Sequence, residues 1–284
     1  MRPPFMYVGS KVDMSAHLAS RLPAHRTYVE PFGGSAAMLF AKQPSEREIV
    51  SDACYWVVSA HRAVRDNPDG LLARLPANGK IYQGEWNAMK RRIVNDWRST
   101  EIEDAATFMI CCSGAFGGGV NLRSGYSYTN GIGQFILSAP SSHPSFRKPK
   151  LKLSMSRMSA CSARLRGVEI IEHDALNLIE AMRSDPQSFL FIDPPYLPMD
   201  SGGSRKADYY LNDCSHSDLM DAMRGMQSNA ILTIGSGDSW YWQDFFADEG
   251  WTLAFQRSGK RGRNAKRRGN HDVWLSHTLI RRLL

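Results

Sequence analysis

The sequence predicts an α/β fold in which helices cover both faces of a mostly parallel sheet and one domain is inserted. Short apolar stretches that favour β-strands lie at residues 27–30, 48–52, 168–171, 189–192 and 230–234. Helical stretches follow several of them, and such alternation is typical of parallel sheets whose strands are buried on both faces. The alternation stops in the middle of the chain, and this interruption predicts the insertion.

The expected helices between these strands cover residues 36–42, 53–64 and 175–182. Near the C-terminus, residues 251–255 and 272–276 favour two further strands, which flank a long basic stretch. We therefore expect a strand pair at the edge of the sheet with a cationic tip.

The inserted domain is expected at residues 55–160, so that residues 1–54 and 161–284 form one discontinuous domain around it. Helical stretches at residues 85–95 and 103–112 make the insertion mainly helical. A passage rich in Gly, Ser, Tyr and Asn follows them, which breaks the α/β pattern further.

The composition of the 284 residues is that of an ordinary globular protein, with 43% hydrophobic and 22% charged residues. No apolar run approaches the roughly 18 residues that cross a bilayer, and the N-terminus lacks the apolar stretch of a secretory signal. The five cysteines are odd in number and form no C-x-x-C pair. We therefore expect a cytoplasmic protein without a membrane segment, a disulfide framework or a metal site.

The net charge of +7 suits a polyanionic partner, because neutralised phosphates release counterions. The positive charge is concentrated in one glycine-containing stretch near the C-terminus. Its basic residues are Arg257, Lys260, Arg261, Arg263, Lys266, Arg267 and Arg268. We interpret the stretch as a loop that contacts phosphates, and a merely solubilising surface loop is the alternative.

The motif Asp193-Pro194-Pro195-Tyr196 directly follows the most apolar predicted strand. In an open α/β sheet the ligand crevice lies beyond the carboxyl ends of the strands, so Asp193 should point into it. Two prolines fix the backbone and remove two N–H donors. The Asp193 carboxylate and the Pro194 carbonyl could then accept hydrogen bonds from a planar amine, with Tyr196 stacked on its ring. A simple strand-ending turn is the alternative.

A second loop, Glu30-Pro31-Phe32-Gly33-Gly34-Ser35, follows the first predicted strand. Paired glycines allow a backbone to approach a ligand closely. The next strand ends in Asp52, which could accept from both hydroxyls of a ribose. The chain has no nucleoside-triphosphate loop of the G-x-x-x-x-G-K-[ST] type, so the pattern favours another nucleoside cofactor, or else turn and surface chemistry alone.

These residues resemble the Dam-like N6-adenine DNA methyltransferases. The resemblance rests on four landmarks in the family's order: Tyr7-Val8-Gly9-Ser10-Lys11, Val29-Glu30-Pro31-Phe32-Gly33-Gly34-Ser35, Ser51-Asp52 and Asp193-Pro194-Pro195-Tyr196. It implies a Rossmann-like, S-adenosylmethionine-dependent methyltransferase sheet with an inserted DNA-recognition domain, encoded by a bacterium or phage. It also implies transfer of methyl groups to adenine in duplex DNA.

The resemblance implies a role for each cofactor-binding residue. Tyr7 and Lys11 would lie over the methionine part of S-adenosylmethionine, with Lys11 near its carboxylate, and the loop from Glu30 to Ser35 would wrap the same part. Asp52 would hold the ribose hydroxyls, and Asp174 would accept from the adenine amine of the cofactor. A surface lysine at Lys11 and a helix N-cap at Asp174 are the alternatives.

The Asp193 turn would receive the target adenine after it flips out of the duplex. Within the insertion, residues 121–128 are similar to the family's DNA-contacting hairpin and include Arg123 and Tyr126. Arg123 could bind guanine or a phosphate, or face solvent. The glycine-rich residues 113–119 depart from the family pattern, so the recognition sequence stays open.

Two regions downstream of the Asp193 turn have a second interpretation. Residues 208–211 and His216 could close over the flipped base, or form a surface loop and helix cap. The aromatic run Trp240-Tyr241-Trp242 favours packing at a helix start over stacking on bases.

Three other functions stay open at this stage. Methylation of a protein or a small molecule is disfavoured by the basic stretch and the large insertion, which favour DNA. Methylation of cytosine N4 uses the same exocyclic-amine chemistry, but enzymes of that kind more often carry Ser in place of Asp193. A catalytically silent DNA-binding protein is disfavoured, since it has no need of the Asp193 turn beside the glycine pair and Asp52. The expected partner is double-stranded DNA, and the expected state is a monomer or weak dimer.

Overall fold

The computed structural model describes residues 1–76, 81–114, 146–147, 155–196, 214–235, 238–257 and 271–283. The first elements in chain order are α1 (Val12–Ala19), β1 (Thr27–Glu30), α2 (Ala37–Ala41), β2 (Arg47–Asp52), α3 (Tyr55–Asp66), α4 (Pro68–Arg74), β3 (Ile81–Tyr82), α5 (Gln83–Val94), α6 (Glu101–Gly114) and β4 (Phe146–Arg147). They are followed by α7 (Met155–Leu165), β5 (Val168–Glu172), α8 (Ala175–Met182), β6 (Ser188–Ile192), α9 (His216–Met223), β7 (Asn229–Gly235), α10 (Ser239–Glu249), β8 (Thr252–Arg257), β9 (His271–Leu275) and α11 (His277–Leu283).

The central sheet contains seven of the described strands, in the order β5-β2-β1-β6-β7-β9-β8. The first five are parallel, and β9 and β8 are antiparallel to their neighbours. The chain proceeds from β1 outward to β2 and β5, then returns to β6 and proceeds the other way. This confirms the predicted α/β fold and places a topological switch point between β1 and β6.

The inner strands β1, β2, β6 and β7 are buried on both faces, as their apolar sequences predict. In β6, Phe189 and Phe191 pack into the apolar cluster on one face, and Leu190 and Ile192 pack into the cluster on the other. Adjacent residues of a strand point to opposite faces, so a continuous apolar run fills both layers.

The predicted C-terminal strand pair is confirmed as β8 and β9, with β9 inserted between β8 and β7. The basic tip between them lies outside the described residues. Its two flanking residues, Arg257 and His271, pair with each other, and His271 also pairs with Gly235 at the carboxyl end of β7. The strand pair therefore opens toward the same edge of the sheet as the ends of β1 and β6.

The domain boundaries at residues 54/55 and 160/161 stay a prediction. The described part of the expected insertion includes α3, α6 and α7, whose Trp56, Phe108 and Met158 share an apolar cluster with Tyr28 of β1. Most of residues 115–154, where the expected DNA-contacting hairpin falls, lies outside the described residues. Helices are therefore observed at the two ends of the expected insertion, and the structure does not describe most of the segment between them.

All five cysteines are thiols, and Cys54, Cys111, Cys112 and Cys161 are buried, where they pack as small apolar side chains. No helix in the described ranges combines the length and the apolarity that crossing a membrane requires.

Truncation of a core side chain on β6 tests this architecture. We expect Leu190→Ala to lower the free energy of unfolding by about 2–5 kcal/mol, because Leu190 is fully buried and its loss leaves a cavity. The same change at Leu253, which is 38% exposed on β8, is the matched control and should cost about 0.5 kcal/mol. Urea denaturation measures both, and equal losses would contradict the layered core.

Candidate active site

A cavity of about 410 Å³ opens at the carboxyl edge of the sheet, at the switch point between β1 and β6. The residues predicted for catalysis and for cofactor binding all line it. They are Tyr7, Lys11, Glu30, Pro31, Phe32, Gly33, Gly34, Ser35, Asp52, Asp174, Asp193, Pro194, Pro195 and Tyr196. The structure thus brings together residues that are far apart in the chain, because β1, β2, β5 and β6 all end at this edge.

The turn after β1 requires both of its glycines. A Cβ on Gly33 would lie 2.6 Å from Cγ1 of Val50 and 2.8 Å from the carbonyl oxygen of Ser51. Gly34 has a φ of +46°, and a Cβ there would lie 3.0 Å from the ring of Tyr7. The backbone of this turn therefore lies directly against β2 on one side and against Tyr7 on another.

Asp52 holds the same turn in place and still has acceptor capacity. Its Oδ2 accepts a hydrogen bond from the Gly34 N–H at 2.9 Å, and its Oδ1 accepts from the Cys54 N–H at 2.9 Å. Burial raises the pKa of Asp52 to about 6, against these two hydrogen bonds, which lower it. A carboxylate has about four acceptor positions, so two remain for a ligand in the cavity.

Glu30 is buried and joins the end of β1 to the start of α2. Its Oε1 accepts from the Tyr28 hydroxyl at 2.8 Å and from the Leu39 N–H at 2.5 Å. Burial raises the pKa of Glu30 to about 8, and the charge of Asp193 acts in the same direction. Glu30 therefore carries a proton at neutral pH and acts within the described site as an uncharged acceptor for two donors.

His61 is part of this site, although the sequence gives no local signal for it. From α3, its Nε2 donates to the Gly34 carbonyl oxygen over 2.8 Å. Burial lowers the pKa of His61 to about 4, so the imidazole is neutral at physiological pH. The glycine turn is therefore held through Gly34 by Asp52 on its N–H and by His61 on its carbonyl.

The carboxylate of Asp193 is held by residues from two distant parts of the chain. Lys11 Nζ donates to Oδ2 at 2.6 Å and also to the Gly9 carbonyl oxygen at 2.8 Å. Thr233, on β7, donates to Oδ1 at 2.5 Å. The side chain of Lys11 is only 4% exposed, so Lys11 is not a plain surface lysine. Sequence reasoning missed Thr233, which lies within an apolar strand.

The ring of Tyr196 lies beside this ion pair. Its hydroxyl is 3.5 Å from Asp193 Oδ1, which is a long contact, and Lys11 Nζ is 5.1 Å from the ring centroid. The next carbonyl upstream, that of Pro195, accepts a hydrogen bond from His216 on α9. The turn is thus contacted by residues from the N-terminal segment, β7 and α9.

Asp174 forms the N-cap of α8, as the alternative interpretation had it. Its Oδ1 accepts from the Leu176 N–H at 2.9 Å and from the Asn177 N–H at 3.3 Å. Both capping bonds use the same oxygen, and Asp174 also lines the cavity. Capping and ligand binding are therefore compatible, and contact with the cofactor's adenine stays a prediction.

The predicted DNA-contacting residues lie outside the described residues. They are Arg123, Tyr126, Lys260, Arg261, Arg263, Lys266, Arg267 and Arg268. Residues 208–211 also lie there. The packing prediction for the aromatic run on α10 is right for Trp242, which is fully buried, and wrong for Trp240, which is 71% exposed at the first turn of the helix. Among the described residues, no group of His, Cys, Asp and Glu could hold a metal ion.

A sheet covered on both faces, with a cavity at its topological switch point, is the arrangement in which open α/β enzymes bind their ligands. The model of the D12 class N6 adenine-specific DNA methyltransferases matches residues 7–233, and the chain belongs to this family. It is therefore an enzyme that methylates N6 of adenine in DNA, and its family implies S-adenosylmethionine as the methyl donor in general.

The chain is also similar to a type II methyltransferase, M1.LlaDCHI, from Lactococcus lactis subsp. cremoris. The two are 24% identical over 249 residues, which are 84% of this chain and 82% of the relative. Among solved structures, a precorrin 8W decarboxylase from Methanobacterium thermoautotrophicum aligns with 97% of this chain and 95% of its own. The TM-score is 0.40 and the identity 9%, and a likeness at this level supports no conclusion.

Replacement of Glu30 tests its protonated state. The folded protein holds this proton up to a pH of about 8, whereas an unfolded Glu releases it near 4.5, so the contribution of Glu30 to the free energy of unfolding should fall as pH rises between these values. Glu30→Gln keeps an oxygen for both donors and should flatten this fall, by about a few kcal/mol over the window.

Denaturation series at pH 5 to 8 measure this difference. The control is Glu46→Gln, whose side chain is 67% exposed and which should leave the pH dependence unchanged. An equal slope for wild type and Glu30→Gln would contradict the proton on Glu30.

Proposed function

We propose that the cavity holds S-adenosylmethionine and a flipped target adenine side by side, and that this arrangement carries the methylation of duplex DNA. The observation that carries the proposal is that the glycine turn after β1 and the Asp193 turn after β6 open into one cavity. A methyl donor and an acceptor amine must meet for direct transfer, and two ligand loops at adjacent strand ends allow this.

The described residues fit the cofactor. Both glycines of the turn line the cavity, and the close packing against β2 and Tyr7 that excludes a Cβ on either of them fixes the turn beside a ligand. The unused acceptor positions of Asp52 suit two ribose hydroxyls, and those of Asp174 suit an adenine amine. Bound S-adenosylmethionine supplies a methyl group that its sulfonium sulfur activates. Tyr7 would cover the methionine part of the cofactor from the other side of the glycine turn.

Lys11 would serve both ligands. An ammonium group has three donors, and two of them reach Gly9 and Asp193. The third can donate to the methionine carboxylate, so the proposed cofactor contact and the observed ion pair do not compete. Lys11 would thereby couple the position of the cofactor to the orientation of Asp193.

The Asp193 turn would bind the target amine through hydrogen bonds. Lys11 and Thr233 use two acceptor positions of the Asp193 carboxylate and leave room for an amine hydrogen, while the Pro194 carbonyl accepts the other. Two such bonds orient the nitrogen lone pair toward the methyl group. The carboxylate also stabilises the positive charge that develops on the nitrogen during transfer. Tyr196 would stack on the flipped base, as aromatic side chains do with bases.

DNA would approach the carboxyl edge of the sheet. The basic residues from Lys260 to Arg268 would contact phosphates, because the strands that flank them end beside Gly235 on this edge. Residues 55–160 would serve as the target-recognition domain, with Arg123 and Tyr126 near the bases. A monomer or weak dimer stays the expected state.

The product of the reaction tests this assignment directly. The protein is incubated with labelled S-adenosylmethionine and mixed-sequence DNA, which is then digested to nucleosides. We expect the label in N6-methyl-2′-deoxyadenosine. Label in N4-methylcytosine would contradict the choice of base.

Loss of the Asp193 carboxylate should abolish the chemistry. We expect Asp193→Ala to reduce methyl transfer by about 100- to 1,000-fold or more. The target amine would lose a hydrogen-bond acceptor, and the positive charge that develops on its nitrogen would lose its counterion. DNA affinity, measured by titration, should change little. Asp193→Asn, which keeps the volume, should be nearly as slow.

The control for these variants is Asp221→Ala, an acidic residue on α9 whose side chain is 72% exposed. It should transfer methyl groups at the wild-type rate. Normal turnover by Asp193→Ala would refute the assignment of the turn.

Neutralising the basic stretch should weaken DNA binding and its dependence on salt. Replacing Lys266, Arg267 and Arg268 by Gln removes three phosphate contacts, so the slope of log K against log salt should decrease by up to about 2.7. The control replaces two other cations, Arg26 and Arg47, which are exposed at the amino ends of β1 and β2 and should leave the slope unchanged. An unchanged slope in the first variant would exclude the stretch from the interface.

A further inference from the structure

His216, the first residue of α9, connects the Asp193 turn to the interior of the protein. The side chain is buried, and its Nε2 lies 2.7 Å from the carbonyl oxygen of Pro195. Its other ring nitrogen, Nδ1, lies 3.0 Å from Nε1 of Trp242, which is fully buried in α10. A chain of hydrogen bonds therefore runs from α10 through α9 to the turn.

The direction of this chain is fixed by chemistry. An indole N–H can only donate, so His216 Nδ1 accepts from Trp242. The proton of the neutral imidazole is then on Nε2, which donates to the Pro195 carbonyl. Burial lowers the pKa of His216, against the bond to Pro195, which raises it. A second proton on the ring would also face the indole N–H, so the structure favours one tautomer of the neutral ring.

Between Asp193 and the Tyr196 nitrogen, the ψ angle of Pro195 is the backbone torsion that the two prolines restrict least. The two prolines fix φ at residues 194 and 195. A residue that precedes a proline is restricted in ψ, which limits Asp193 and Pro194 in turn. The ψ angle of Pro195 has no such restriction, and it sets both the direction of its carbonyl and the course of the chain to Tyr196. The bond from His216 fixes that angle.

We propose that His216 is a positioning residue for methyl transfer, which sets the place of the Tyr196 ring relative to Asp193 by holding the Pro195 carbonyl. Trp242 acts through His216, because its N–H selects the tautomer of His216 that can donate to the Pro195 carbonyl. The inference rests on the proposed role of the Asp193 turn as the site of the target amine. His216 touches neither the target base nor the cofactor in this scheme.

The experiment compares the rate of methyl transfer in a single turnover with the affinities for both ligands. His216→Phe keeps an aromatic ring but has no donor, whereas His216→Gln offers an amide N–H near the position of Nε2 and an oxygen toward Trp242. We expect His216→Phe to slow transfer from bound DNA by about 10- to 100-fold, because the stacking ring is misplaced. The dissociation constants for S-adenosylmethionine and for mixed-sequence DNA should stay within about threefold. His216→Gln should recover most of the rate.

A matched tryptophan pair separates positioning from packing. Trp242 and Trp251 are both buried in the apolar cluster on the α9 and α10 face, but only Trp242 bonds to His216. Trp242→Phe should slow transfer, and Trp251→Phe should not. Trp242→Phe added to His216→Phe should cause no further loss, since both act through the same bond.

Three results would overturn the inference: a wild-type transfer rate in His216→Phe, a rate in His216→Gln as low as in His216→Phe, or equal losses in Trp242→Phe and Trp251→Phe. If His216→Phe does not fold, the tryptophan pair and His216→Gln decide the matter alone, with the same expectations. Asp193→Ala in the same assay tests the proposed function separately. A dead Asp193→Ala beside a fully active His216→Phe removes only the positioning role.

Discussion

The site depends on a constraint of chain topology, namely that β1 and β6 lie side by side while the next described helices, α2 and α9, pack on opposite faces of the sheet. After β1 the chain enters α2, which packs in the cluster that contains Tyr28, and after β6 it reaches α9, which packs in the cluster that contains Leu190. Between them the edge of the sheet is left uncovered, and a cavity forms there. No single loop makes this cavity, because it follows from the reversal of strand order.

Two buried, neutral histidines hold the two loops of the cavity from opposite faces of the sheet. His61 on α3 donates to the carbonyl of Gly34, and His216 on α9 donates to that of Pro195. Each ring uses Nε2 as the donor, and burial lowers the pKa of both. Burying an uncharged donor costs little free energy when the donor is hydrogen-bonded, whereas a buried charge would need a counterion. The loops are thus fixed without adding net charge to the ligand site.

Much of the fold could be predicted from the sequence, because its strands are short apolar runs that end in Asp, Gly or Pro. The turns at Gly33 and Asp193 could also be predicted, since their residue types have few other uses at a strand end. The contacts between them could not. Lys11 and Asp193 are 182 residues apart, and Thr233 is one polar residue within an apolar strand. Only the folded sheet brings these residues together.

Some predictions failed or stayed open for physical reasons. An aromatic run on a helix start does not reveal which ring faces the core, and the 100° step between helical residues buries Trp242 while it exposes Trp240. Likewise, the helices of the expected insertion are amphipathic whether they pack on the sheet or on each other. The observed core includes Trp56 and Phe108, so local periodicity could not locate a domain boundary.

The pairing of Lys11 with Asp193 has a consequence for how ionic conditions affect the enzyme. With 4% and 19% of the two side chains exposed, this attraction is shielded from dissolved ions, whereas contacts between exposed cationic side chains and DNA phosphates are not. Capture of the nucleic acid and the chemistry that follows therefore respond to different electrostatics. Moderate salt should lengthen the search for a site while leaving the reactive geometry of an engaged complex as it was.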